Sequence, residues 1–178
     1  VSEGNPQAAL SAIFTGMGSL SYGELAGERM RLGLMLNDPE EEHDCFSDNT
    51  HNSHYYDGLG ISNAWHARYV RPDGSVVEGA SLRDLVAAHD AGLARAIDAQ
   101  IAASVVALAA IKTAAEGGMA YDMMLARGNA EGEALIMAAV GALVDQTRGF
   151  ERAIAALGIE GVGIEGSDSL DNPDAVFQ

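Results

Sequence analysis

Residues 131–157, EGEALIMAAVGALVDQTRGFERAIAAL, carry Ile136, Val140, Leu143, Thr147, Phe150, Ile154 and Leu157 at alternating steps of four and three. Such steps keep all of these side chains on one stripe of an α-helix, because residues three and four apart are neighbours on its surface. The stripe stops at Gly158, a residue suited to the left-handed turn that closes a helix. Upstream, Asp90 to Ala115 repeats the pattern, with Leu93, Ile97, Ile101, Val105 and Leu108 at steps of four, four, four and three. Long helices with stripes of this kind pack at shallow angles, so the chain is expected to be all-α, an up-and-down four-helix-type bundle.

The remaining elements follow from the same patterning. Gln7 to Met17 sets Leu10, Ile13, Phe14 and Met17 at helical spacing, with Pro6 in a first turn. Gly16, Gly18 and Gly23 then predict an interruption before a second run, Tyr22 to Leu36, where Leu25, Leu32 and Leu36 share a stripe with Arg29. Ser47 or Asp48 is expected to cap a short helix that carries His51 and ends near Gly58. Ala67 to Gly79 reads as a small hairpin or extended loop, since Tyr69-Val70 and Val76-Val77 flank Arg71-Pro72-Asp73-Gly74-Ser75. Ser81 caps a short helix, Gly117-Gly118 breaks the long one, and Met119 to Ala126 forms a short segment before Gly128-Asn129. Residues 1–158 are therefore expected to form a single helical-bundle domain. Residues 159–178, acidic and without a basic residue, are expected to be an extended or poorly ordered tail.

Composition narrows the function classes. Among 178 residues, 26 acidic side chains against 10 basic ones give a formal charge of −16, and so negative a surface repels phosphate backbones and anionic lipid heads. Nucleic acid is excluded as an expected partner. Lys112 is the sole lysine, so no polybasic patch exists. The longest low-charge stretch, Ala99 to Ile111, is too short and Ala-rich to be read as a transmembrane segment. One cysteine, Cys45, excludes an internal disulfide. Its neighbours Asp44 and Phe46 offer nothing that would lower its pKa, so it is expected to be a buried, inert thiol.

The chemistry concentrates in Glu42-His43-Asp44-Cys45-Phe46-Ser47-Asp48-Asn49-Thr50-His51, a polar run between apolar segments. Its imidazoles, carboxylates and hydroxyls can form a ligand site or a buried polar network that fixes a turn. His51-x-x-His54 and His54-x-x-Asp57 have spacings that share a helix face, and imidazole with carboxylate suits zinc or iron. Glu24 and Glu28, four apart, repel each other unless a cation intervenes, and Arg29 on an apolar stripe needs a partner. Either a metal or an ion pair of Arg29 with Glu24, Glu28 or the Glu40 to Asp44 segment meets both needs. The chain has no His-Glu-x-x-His, no Cys-x-x-Cys, no phosphate-binding loop and no Gly-x-Ser-x-Gly elbow. Met30, Met35, Met119, Met123 and Met124 read as core filler.

Glu24-Leu25-Ala26-Gly27-Glu28-Arg29-Met30 followed by the run from Glu42 to His51 resembles the imelysin family. Tyr69-Val70-Arg71-Pro72-Asp73-Gly74-Ser75 and the stretch from Leu143-Val144-Asp145-Gln146-Thr147 to Leu157-Gly158 extend the resemblance through nearly the whole chain, which is similar to the C-terminal half of a typical member. The resemblance implies two helical-bundle halves with a site between them, in an exported bacterial protein, periplasmic or outer-membrane-associated, linked to iron uptake and first described as a metallopeptidase. It also implies that Glu24, Glu28, Arg29, His43, Asp48 and His51 line one wall of that site, with His43, His51 and Glu28 as candidate ligands for iron or zinc. The family's Gly-x-His-x-x-Glu motif does not occur in these residues. The expected partners are accordingly an N-terminal imelysin half, in the same precursor or as a separate chain, and a metal ion or iron complex. Three functions stay open: a binding protein for iron or an iron-containing ligand, a metallopeptidase completed by the other half, and a structural bundle with a buried polar network.

Overall fold

The computed structural model describes residues 4–177. Residues 1–3 of the expected domain and residue 178 of the expected tail lie outside the described residues. The chain is all-α with one small hairpin, in the order α1 (Pro6–Ser19), a π-helical segment (Leu20–Arg31), α2 (Leu32–Leu36), α3 (Thr50–His66), β1 (Arg68–Val70), β2 (Val76–Glu78), α4 (Leu82–His89), α5 (Ala91–Glu116), α6 (Tyr121–Leu125), α7 (Ala130–Leu157) and α8 (Asp168–Asp171). Short 3₁₀ turns occupy Pro39–Glu41 and Pro173–Phe177.

Four long helical runs make the bundle. Cross-contacts fix their directions: Phe14 meets Phe150 and Ser21 meets Gln146, so the first run and α7 are antiparallel. Asn52 meets Lys112 and Trp65 meets Asp98, which sets α3 against α5. Gln100 meets Arg152 and Ser104 meets Gln146, which sets α5 against α7. The result is the up-and-down arrangement. One apolar cluster gathers Leu25, Met30, Leu108, Tyr121, Met124 and Leu143, and a second gathers Phe14, Ile61, Trp65, Ile97, Ile101 and Phe150. Between them on their helices lie Ser21, Ser104 and Gln146, all fully buried. Gln146 donates to Ser21 Oγ at 2.7 Å, Ser104 donates to Gln146 Oε1 at 2.6 Å, and Ser21 donates to the Leu143 carbonyl at 2.9 Å.

Several ends follow the sequence. Asp90 caps α5 by accepting from the N–H groups of Gly92 and Leu93, Ser81 caps α4, and Asn129 caps α7. The hairpin pairs Arg68 with Glu78 and Val70 with Val76. By length and composition α5 is apolar enough to cross a membrane, unlike the shorter Ala99 to Ile111 stretch considered alone. One face of it gives Ala94, Ile97, Ile101, Leu108 and Ile111 to the core, and the opposite face, with Val106, is exposed.

Two expectations are corrected. No break occurs at Gly16, Gly18 or Gly23, because helix runs from Pro6 to Leu36 without interruption. Nor does the short helix end near Gly58: α3 starts at Thr50, after Ser47 and Asp48, and continues to His66, with Leu108 of α5 lying against Gly58. The segment after Gly158 runs extended as far as the short helix α8. It lies along the first helical run as a strap, with Ile159, Ser167 and Ser169 buried. The Gly163 N–H donates to Thr15 Oγ1 at 3.4 Å and the Glu165 N–H to Ser19 Oγ at 3.0 Å. The two results share a cause. A methyl group on Gly23 would fall 2.6 Å from the Glu165 carbonyl oxygen, and one on Gly27 would fall 2.6 Å from Ser167 Oγ. Gly18 and Gly23, two of the three expected breakers, and Gly27 are the places where the strap comes down on the helix, and its packing offsets their cost of about 1 kcal/mol each.

Candidate functional site

The π-helical segment carries Glu24, Glu28 and Arg29. In an α-helix residues five apart sit about 140° apart around the axis, whereas i→i+5 hydrogen bonding stacks them on one face. That register operates here, since the Leu32 N–H bonds to the Gly27 carbonyl. It permits the five-residue ion pair in which Arg29 Nε donates to Glu24 Oε2 at 3.1 Å. Another guanidinium nitrogen of Arg29 donates to Asp57 Oδ2 of α3 at 2.8 Å. Arg29 is therefore paired with Glu24, one of the partners expected for it, and with Asp57, which was not among them. Burial raises the Asp57 carboxyl above the usual range, and Arg29 pulls in the opposite direction. Asp57 is the site residue that sequence reading left out of the wall; its signal was the His54-x-x-Asp57 spacing.

Two adjoining open depressions share Arg29 and His43. The larger, about 600 Å³, is lined also by Asn49, Asn52, Ser53, Tyr56 and Asp57. The smaller, about 350 Å³, is lined also by Glu24, Glu28, Leu32 and Glu40 to Glu42. Glu24, Glu28, Arg29 and His43 are thus brought to one surface. Asp48 and His51 line neither depression. Asp48 sits exposed on the turn with φ 48°. His51 is half-buried, its Nε2 3.1 Å from Asn52 Nδ2 and its Nδ1 without a partner.

The polar run also cross-links itself. Thr50 donates to Glu42 Oε2 at 3.0 Å and accepts from the Asp44 N–H at 3.0 Å, while Ser53 donates to Asp44 Oδ2. Burial pushes the Glu42 carboxyl up, and the Thr50 bond works against that shift. Behind this turn His54 is completely buried, edge-on to Tyr121 with ring centroids 4.9 Å apart, and neither of its ring nitrogens has a hydrogen-bond partner. Burial first, and Arg29 second, push its pKa down to about 3, so the ring is neutral.

Among the described residues, no three His, Cys, Asp or Glu side chains converge so as to hold a metal ion. Glu28 and His43 share the smaller depression but His51 does not join them, so the candidate ligand set does not fit a self-contained iron or zinc centre. Cys45 is also corrected: it is exposed, beside a fully exposed Phe46. The tight turn spends its inward-facing positions on Glu42 and Thr50, and no core lies within reach of the residues between.

The profile of the imelysin family, peptidase family M75, matches residues 1–150. The chain belongs to the imelysin family. A search of curated proteins finds no match. The imelysin match includes the π segment, the polar run and α3, hence every residue of both depressions, and it stops before the strap.

Proposed function

We propose that this imelysin-family chain is a binding protein of bacterial iron uptake, exported to the periplasm or outer membrane, that holds iron or an iron-containing ligand against the depression of Arg29, His43 and Asp57. The observation that carries this reading is the fixing of Arg29 by carboxylates from two separate elements at an open surface that also presents His43 and Glu28. Imidazole and carboxylate suit iron, and the acidic surface concentrates cations near it. Among the described residues the donors fall short of an ion centre, so the remaining ones come from a chelating ligand or from an N-terminal imelysin half facing this wall. A peptidase would need about three protein ligands, an open position for water and a general base. That second reading draws on the family's peptidase designation and requires chelator-sensitive cleavage of a peptide by the native material.

Calorimetric titration of the native protein with ferrous, ferric and zinc ions and with haem tests the binding reading. Binding is expected with at least one of them: the affinity for an ion should fall about tenfold or more in His43→Ala, which removes a donor, and the affinity for haem should fall by a similar factor in Arg29→Ala, which removes the cation facing its carboxylates. No heat with any of the four, or affinities unchanged in both variants, would sink it.

A further inference from the structure

The strap touches the π segment at the carbonyl that accepts its last five-residue bond. Ser169 donates its hydroxyl to the Gly27 carbonyl at 3.0 Å, the same oxygen that accepts the five-residue bond from the Leu32 N–H. Ser169 is 2% exposed, and its neighbour Ser167 rests on Gly27 itself. One further bond holds this part of the strap down, Tyr22 donating to Asp171 Oδ1 at 2.6 Å, while the other carboxylate oxygen of Asp171 accepts from the Ser167 N–H at 3.1 Å within the strap itself. Arg29 follows Gly27 by two residues, and its bond to Glu24 spans five residues, a spacing that the five-residue register draws together. A π-helix is intrinsically less favourable than the α-helix on either side of it, so something outside the segment has to hold it open.

We propose that Ser169, with Tyr22 and Asp171, is a positioning residue for Arg29: the strap clamps the Gly27 carbonyl and keeps residues 20–31 in the register that carries Arg29 to Glu24 and Asp57. The strap thereby couples the far side of the first helical run to the depression. Its functional meaning rests on the reading of Arg29 as part of the binding surface, but the coupling itself does not require a ligand.

Solvent exchange of the arginine Nε–H groups, followed by nitrogen-15 NMR on the full chain, tests it. In Ser169→Ala, exchange at Arg29 is expected to rise about fivefold, the change in local opening that one lost hydrogen bond produces. Tyr22→Phe, which releases the strap at a different point, is expected to act in the same direction. Arg83, held on Asp98 at 3.0 Å elsewhere in the bundle, should not change in either variant. Exchange at Arg29 that is indifferent to both substitutions, or that rises in step with Arg83, overturns the proposal. The two readings fail separately: an empty titration with a responsive Arg29 removes only the iron-binding function, and a ligand that binds while Arg29 ignores the strap removes only the clamp.

Discussion

Ser21, Ser104 and Gln146 at mid-bundle and His51 with His54 behind the depressions are two polar groups inside one small domain, and they are treated in opposite ways. In the first, every side chain is hydrogen-bonded to another helix or to a carbonyl. In the second, His51 Nδ1 and both nitrogens of His54 have no partner. A buried polar atom left unpaired costs on the order of 1–3 kcal/mol, so the second cluster lowers stability where the first aligns three helices. The lesson is one of division of labour. The polar atoms that fix the fold are fully paired at its centre, and the unpaired ones lie near Arg29 and the proposed binding surface.

The sharpest way to break the contrast is Gln146→Ala, which removes the hub of the paired cluster. Chemical denaturation is expected to show a loss of about 3 kcal/mol, from a cavity plus two lost hydrogen bonds. A slightly smaller effect is expected from acid. An unfolded histidine takes up its proton near pH 6.5, whereas His54 in the fold does so only near pH 3. Between those values the unfolded state holds the extra proton, so stability falls as pH falls, by about 1.4 kcal/mol per unit. Lowering the pH from 6.5 to 5 should therefore cost the wild type about 2 kcal/mol more than His54→Phe. Equal slopes in the two proteins would show that His54 is not held neutral. The smallest effect separates the clusters by sign: at neutral pH His54→Phe, an apolar ring placed edge-on to Tyr121, is expected to stabilise the protein by about 1 kcal/mol.

The long helices were legible because their stripes are local: α5 and α7 need nothing but their own spacing, and Ser81 caps its helix by accepting from the N–H of Asp84, three residues on. The hairpin was legible for the same reason, through its Pro-Asp-Gly-Ser turn. What was hidden depended on distant partners. Gly18 and Gly23 read as helix breakers until Ile164 and Glu165 are set against them, contacts that close across most of the chain. The need of Arg29 for a partner was visible in its position on an apolar stripe. Asp57 as that partner was not, because the five-residue register that turns Arg29 toward α3 leaves no mark in a pattern read at three and four. The polar run likewise showed its donors and acceptors, but not that Glu42 and Thr50 would be used inward while Cys45 and Phe46 were left outside.

That last arrangement has a practical side. Cys45 is the only thiol in the chain and it stands in solvent on the turn that borders His43. A maleimide dye therefore attaches at one defined place with no engineered cysteine, beside the surface where a second protein half or a ligand is expected to arrive. The molecule supplies its own vantage point for watching that surface being covered.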